Sequence, residues 1–259
     1  MSYPVLDPAY PIAALAHLCA LTVMAKAPRP GRVKTRLSPP LTLEQTAALN
    51  VRFLRDTCDN LATVPYAAGV ISYTPVGDEA LFDGLLPESF ALAPQRGDAF
   101  GERLLAAAQD ILAIGYGSVC LIDSDSPTVP REVFLQAVEA LREPGDRIVL
   151  GPSNDGGYYL IGMKQPHSEP FERIAWSTGS VCAETIERCR EAGLEVVLLP
   201  TWYDVDDAAT LALLKQELLH ETPPPFAARP GYAAPHTRAL LLAMQYDPAA
   251  LDSRAVTPA

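Results

Sequence analysis

The chain has 259 residues, enough for one α/β domain with a large core, and its 49% hydrophobic and 20% charged residues are ordinary for a soluble globular protein. A formal charge of -11 argues against general nucleic-acid or anionic-membrane binding, since both favour a basic surface. Five scattered cysteines (Cys19, Cys58, Cys120, Cys182, Cys189), none in a C-x-x-C pair, exclude a disulfide frame or zinc site and read as small buried residues in a reducing compartment. Ile12 to Ala25 is apolar, but no Lys or Arg precedes Lys26 and Asp7 stands where a basic n-region would be. No signal peptide is therefore expected, no stretch reaches membrane-spanning length, and cytoplasm is the expected location.

Residues 1–16, rich in Pro, Ala and Tyr, read as an N-terminal extension. The apolar run His17 to Met24 predicts a first strand, with His17 inside it as a core residue. A basic loop follows: Lys26 to Arg36 holds five positive charges (Lys26, Arg29, Arg32, Lys34, Arg36) and no negative one. Thr42 and Gln45 have the spacing of a capping box, opening a helix to about Ala62. Tyr66 to Tyr73 predicts a strand ended by Thr74-Pro75, and Glu79 to Leu85 a short helical segment. Phe90 to Ala93 predicts a third strand, and Gly97-Asp98 introduces a helix to about Ile114. Ser118 to Ile122 predicts a fourth strand, ending in Asp123-Ser124-Asp125-Ser126-Pro127. A helix begins at Pro130 and ends near Arg142. The strands Arg147 to Leu150 and Tyr158 to Met163 flank Gly151-Pro152-Ser153-Asn154-Asp155-Gly156-Gly157. A helix from about Ser180 to Ala192, a strand Glu195 to Leu199 and a helix from Asp207 to about His220 complete the alternation. Strands alternating with helices imply a three-layer α/β/α domain over 17–221, with a mainly parallel, Rossmann-like sheet. Pro223-Pro224-Pro225 marks a boundary, and 222–259 reads as a linker and tail with a helix at Thr237 to Tyr246.

Four constellations could carry chemistry. The basic loop departs from the global charge and follows a strand, a setting that gathers cations and free N–H groups around phosphate. It is not a Walker A loop, because Val33 stands where the glycine before the lysine should be. Its bland reading is a solvated turn. Asp123 and Asp125 alternate at the carboxyl end of a buried strand, where α/β sheets place ligands, and residues i and i+2 share a face. Both could approach Mg²⁺ or Mn²⁺, which takes one or two carboxylates and shares its other positions with phosphate and water. An acidic turn is the alternative. Gly156 and Gly157 after Asp155 allow close backbone approach, or only a tight hairpin in which Asp155 bonds its neighbours. Asp204 and Asp206 alternate after another strand, while Asp207 has the bland role of a helix N-cap. Trp176 could stack on a base or sugar, or belong to the core.

Taken together, the ordered motifs resemble the bacterial radical-SAM/selenodomain-associated transferases, also called arsenosugar-biosynthesis glycosyltransferases. The residues are Lys26 to Leu37, Asp125-Ser126-Pro127, Gly151-Pro152 with Asp155 to Gly162, Trp176-Ser177-Thr178 and Asp204-Val205-Asp206. Gln95, Gly97, Gly101 and Arg103 also fit, so the resemblance spans about residues 19–219. It departs at Asp123, where that family usually has glycine. The resemblance implies a nucleotide-diphospho-sugar transferase (GT-A-like) fold and a metal-dependent glycosyltransferase acting on a nucleotide-sugar donor and a small-molecule acceptor. Lys26, Arg29, Arg32, Lys34, Arg36 and Arg103 are then expected at the nucleotide, and Asp123, Asp125 and Asp204 at Mg²⁺ or Mn²⁺. Asp155, Gly156, Gly157 and Trp176 are expected at the acceptor or sugar. Asp125, Asp155 and Asp206 are the expected catalytic carboxylates. Nucleotidyl transfer with release of pyrophosphate, and a non-catalytic nucleotide-binding role, remain the alternatives. No nucleic-acid or membrane partner is expected, and the chain is expected to be a monomer or homodimer.

Overall fold

The computed structural model describes residues 2–246; residues 247–259, the end of the expected tail, lie outside them. Seven strands form one sheet: β1 (Cys19–Lys26), β2 (Ala67–Thr74), β3 (Ala91–Pro94), β4 (Ser118–Ile122), β5 (Arg147–Pro152), β6 (Tyr158–Met163) and β7 (Glu195–Leu198). Their spatial order is β3-β2-β1-β4-β6-β5-β7, and every pairing is parallel except those of β6, which runs against β4 and β5. The six helices are α1 (Leu43–Leu61), α2 (Phe100–Ile114), α3 (Arg131–Arg142), α4 (Val181–Glu191), α5 (Ala208–His220) and α6 (Pro235–Tyr246). This is the expected three-layer, GT-A-like α/β architecture.

The alternation of side chains along β1 builds two cores. Cys19, Leu21, Val23 and Ala25 face α1, α3, α5 and α6, whereas Ala20 and Met24 face α2 and α4. The helices form where the sequence caps them. Thr42 accepts from the Gln45 N–H while the Gln45 side chain accepts from the Thr42 N–H, and Asp207 caps α5 through the Thr210 N–H. Pro130, the expected first residue, is instead the N-cap of α3, which begins one residue later at Arg131; its missing N–H costs nothing there.

One expectation is corrected. His17 is exposed in a turn, and the strand begins at Cys19. Residues 2–16 are stitched to the domain: Leu6 N–H donates to Leu92 O (2.7 Å), Leu92 N–H to Pro4 O (2.9 Å) and Ile12 N–H to Ile114 O (2.7 Å). The tail also returns to the domain. Asp56 on α1 accepts the N–H groups of His236 (2.9 Å) and Thr237 (2.7 Å), so a buried carboxylate meets the positive end of α6.

The strands that matter most are β1, β4 and β6. The carboxyl ends of β1 and β4 and the amino end of antiparallel β6 lie at one edge. The basic loop, the Asp123–Asp125 turn and the 151–157 hairpin therefore converge there.

Candidate functional site

A cavity of about 380 Å³ opens at this edge. It is lined on one side by Lys26, Arg32, Lys34, Arg36, Asp123, Asp125 and Asp206, and on the other by Met24, Phe100, Leu104, Leu121 and Ile161.

Lys34 joins the two charged motifs. Its backbone is left-handed (φ 51°), which turns the loop back over α1. Its side chain is 3% exposed, and Nζ reaches Asp125 Oδ2 (2.8 Å), Asp206 Oδ1 (2.9 Å) and the Val205 carbonyl (2.7 Å). Burial pulls the ammonium pKa down, but the charges of Asp125 and Asp206 outweigh it, and the group ends above the ordinary lysine value. Buried with two carboxylates and a carbonyl around it, Lys34 is fully charged and fully paired. The Phe53 ring of α1 lies 5.7 Å from Nζ.

The other loop cations divide. Lys26, Arg32 and Arg36 line the cavity, and Arg36 lies 3.9 Å from Asp206. Arg29 turns away and forms a two-pronged pair with Asp78, Nε to Oδ2 at 2.8 Å. Arg103 donates to the Asp98 carbonyl (2.7 Å) and covers the Phe100 ring, and it is not among the lining residues.

The acidic residues divide in the same way. Asp123 is absorbed by its own turn: Oδ1 accepts from the N–H groups of Asp125 (3.1 Å) and Ser126 (3.2 Å), and Oδ2 from Ser126 Oγ (2.8 Å). Burial, then the charges of Asp125 and Asp204, push its pKa well up. Asp204 accepts from Ser153 Oγ (2.9 Å), and burial with the charges of Asp155 and Asp206 raises it as well. Asp155 accepts from the Gly157 N–H (2.8 Å) as a hairpin residue, outside the cavity lining. Gly156 has φ +94°, and a Cβ there would lie 2.0 Å from the Gly179 carbonyl oxygen. The close approach its sequence suggested is to the protein's own chain. Trp176 packs edge-on against Phe100 (5.0 Å between ring centres) and beside Gly101.

The donor chemistry fits a hard divalent cation, because all the acidic side chains at this edge offer carboxylate oxygens. Among the described residues no three His, Cys, Asp or Glu gather as a preformed cage. Asp123 has both oxygens committed to its turn, while Asp125 accepts from Ser124 Oγ (3.0 Å) through Oδ1 and meets Lys34 through Oδ2, beside Asp206. Burial first, and then neighbouring carboxylates, raise Asp123 and Asp204, and a cation would relieve the second of these.

Sequence reasoning overlooked Asn50 and Phe100. Asn50 is 6% exposed, lines the cavity, and interrupts the apolar face of α1 four residues after Thr46 and three before Phe53; that polar break was the available signal. Phe100 is 46% exposed at the first position of α2, and an exposed aromatic at a helix start carries no signal of its own.

Residues 57–178 match a bacterial family described as "Uncharacterized protein conserved in bacteria (DUF2064)". No curated protein matches the chain. Among solved structures, one from Desulfovibrio desulfuricans G20, provisionally described as a nucleotide-diphospho-sugar transferase, shares 32% identity (TM-score 0.74), covering 88% of this chain and 95% of its own. Two others show the fold alone. CMP:2-keto-3-deoxy-manno-octonic acid synthetase, complexed with CTP, has 11% identity and TM-score 0.51 over 79% of this chain and 100% of its own. 4-Diphosphocytidyl-2C-methyl-D-erythritol synthase from Anaerococcus prevotii DSM 20548 has 12% identity and TM-score 0.50 over 80% and 99%. The identity and near-complete coverage shared with the Desulfovibrio protein place the chain in its family, within the nucleotide-diphospho-sugar transferase superfamily.

Proposed function

We propose that the protein is a metal-dependent glycosyltransferase that takes a nucleotide-diphospho-sugar donor and a small-molecule acceptor. The observation that carries this reading is the buried Lys34 ammonium held between Asp125 and Asp206 at the mouth of a basic cavity. A diphosphate entering there competes for Lys34 with two carboxylates, and the carboxylate released is free for a cation.

In this reading Lys26, Arg32, Lys34 and Arg36 face the diphosphate, and Arg29 shapes the loop through Asp78. Asp125, with Asp206 beside it, would hold Mg²⁺ or Mn²⁺ against the phosphate oxygens. The ion's contribution is neutralisation of charge on the departing diphosphate. The loop cations add fixed positive charge where the negative charge develops. Asp123 keeps the turn rigid so that Asp125 is presented in one orientation. One of Asp155, Asp204 and Asp206 supplies the carboxylate that accepts the attacking hydroxyl's proton. Trp176, with Phe100, borders the acceptor, while Gly156 and Gly157 hold the hairpin beside it. Arg103 acts on the site through Phe100. The narrower likeness to the selenodomain-associated transferases supports glycosyl over nucleotidyl transfer, and five free, buried cysteines accord with a cytoplasmic setting.

The test is a thermal-shift screen of nucleoside diphosphate sugars and nucleoside triphosphates with Mg²⁺ or Mn²⁺, followed by product analysis. The expected result is a rise in melting temperature with a diphosphate sugar and release of nucleoside diphosphate on turnover. Release of pyrophosphate would identify a nucleotidyltransferase instead, and silence towards both ligand classes would overturn the reading.

A further inference from the structure

Five polar residues lie on the buried face of α1: Thr46, Asn50, Asp56, Thr57 and Asn60. Thr46 Oγ1 donates to the Leu43 carbonyl (2.8 Å), Asn60 Nδ2 to the Val129 carbonyl (2.9 Å), and Asp56 accepts two N–H groups from the tail. Thr57 Oγ1 and Asn60 Oδ1 are unpaired, but both residues lie away from the cavity. Asn50 alone of these residues reaches the cavity, and its carboxamide makes no hydrogen bond among the described residues. A carboxamide on a buried residue that has no protein partner and opens onto the cavity Lys34 also lines is what a ligand contact looks like before the ligand arrives.

The chemistry of the contact follows from its neighbours. Lys26, Arg32, Lys34 and Arg36 already provide for the anionic part of a ligand. A carboxamide is neutral and both donates and accepts, which matches a hydroxyl group. Resting on the nucleotide-sugar reading above, we propose that Asn50 is a specificity-determining contact that reads a hydroxyl of the bound donor, on its ribose or on the transferred sugar. A site built to hydrogen-bond a hydroxyl rejects the analogue that lacks it, because its own polar group is then left unpaired.

The experiment compares wild type with Asn50→Leu and Asn50→Ala by melting temperature and by titration. The ligands are pyrophosphate, uridine and guanosine diphosphates, and their glucose and mannose derivatives. Asn50→Leu is expected to melt no lower than wild type in the free state, and to bind the diphosphate sugar about 10-fold more weakly with pyrophosphate affinity unchanged. If the hydroxyl is on ribose, the plain diphosphate weakens equally. If it is on the sugar, the plain diphosphate is unaffected. Should Asn50→Leu melt lower through overpacking, Asn50→Ala supplies the same affinity comparison without added bulk. Diphosphate and diphosphate sugar binding as to wild type in both variants would overturn the inference, as would an equal loss of pyrophosphate binding. If wild type binds none of the nucleotides, the function reading fails, and this inference falls with it. The two failures are thus told apart by the wild-type arm.

Discussion

The two walls of the cavity are held by different forces. On the charged wall, Lys34, Asp125 and Asp206 fix one another across long stretches of chain, and Arg36 stands near them. On the apolar wall, Leu104, Leu121 and Ile161 are at most 3% exposed and are fixed by packing between the sheet and α2. Substitutions on the apolar wall should therefore register first in stability, and substitutions on the charged wall first in ligand binding and turnover.

The largest effect tests the apolar side. Leu104→Ala should cost about 2–4 kcal/mol in urea unfolding, from lost transfer free energy and a residual cavity. Ligand affinity should keep its dependence on salt. A variant with wild-type stability but lost binding would reverse the assignment of the two walls. Next, Asp125→Ala should lower turnover by about 100-fold or more, near 2.7 kcal/mol of barrier. Its melting temperature should change little, because Asp125 is partly exposed and Lys34 keeps Asp206. Lys34→Met combines both signatures. It leaves two carboxylates without their shared cation, at a cost of about 1–2 kcal/mol after allowance for their solvent exposure, and it should weaken diphosphate binding about 10-fold. Raising salt from 0.1 to 1 M should narrow the difference in binding between this variant and wild type.

The smallest prediction lies behind the charged wall, on the far part of α1. Burial raises the pKa of Asp56, although the His236 and Thr237 N–H groups oppose the shift. The folded state therefore holds the proton more tightly than the unfolded state, and stability falls as pH rises from about 4 through the folded pKa. Asp56→Asn does not titrate. The stability advantage of wild type over this variant should shrink between pH 4 and 7, with no change in ligand affinity.

Much of the charged wall was legible in the sequence, because its residues sit in motifs whose charge departs from the chain's balance. What those motifs could not reveal is partnership. Arg29 and Lys34 look alike in the loop, but Asp78 takes one and Asp125 with Asp206 takes the other. The D-x-D spacing gives Asp123 and Asp125 equal standing, and only the folded turn shows that its own N–H groups use Asp123. The helices were readable from caps such as Thr42–Gln45, which act locally. The antiparallel course of β6 was left open, with a tight hairpin at 151–157 as one of two readings, since an apolar run reads the same in either direction. Five residues between β5 and β6 are too few for a parallel crossover, so the hint was present in the loop length. His17 joined an apolar run on paper, yet the strand's hydrogen bonding begins two residues later. Asn50 and Phe100 gain meaning only when α1 and α2 are set on opposite faces of the sheet.

The Lys34 clasp also orders events in time. Its contacts with Val205 and Asp206 span 171 and 172 residues. A growing chain that has not yet made the segment between β7 and α5 has the basic loop but half of its counter-charge. The loop then lacks the partner that holds its lysine down, and the cavity mouth is incomplete. Completion of the site thus reports completion of the domain, and a chain truncated before residue 206 should be unable to recover nucleotide binding however well β1 to β4 fold.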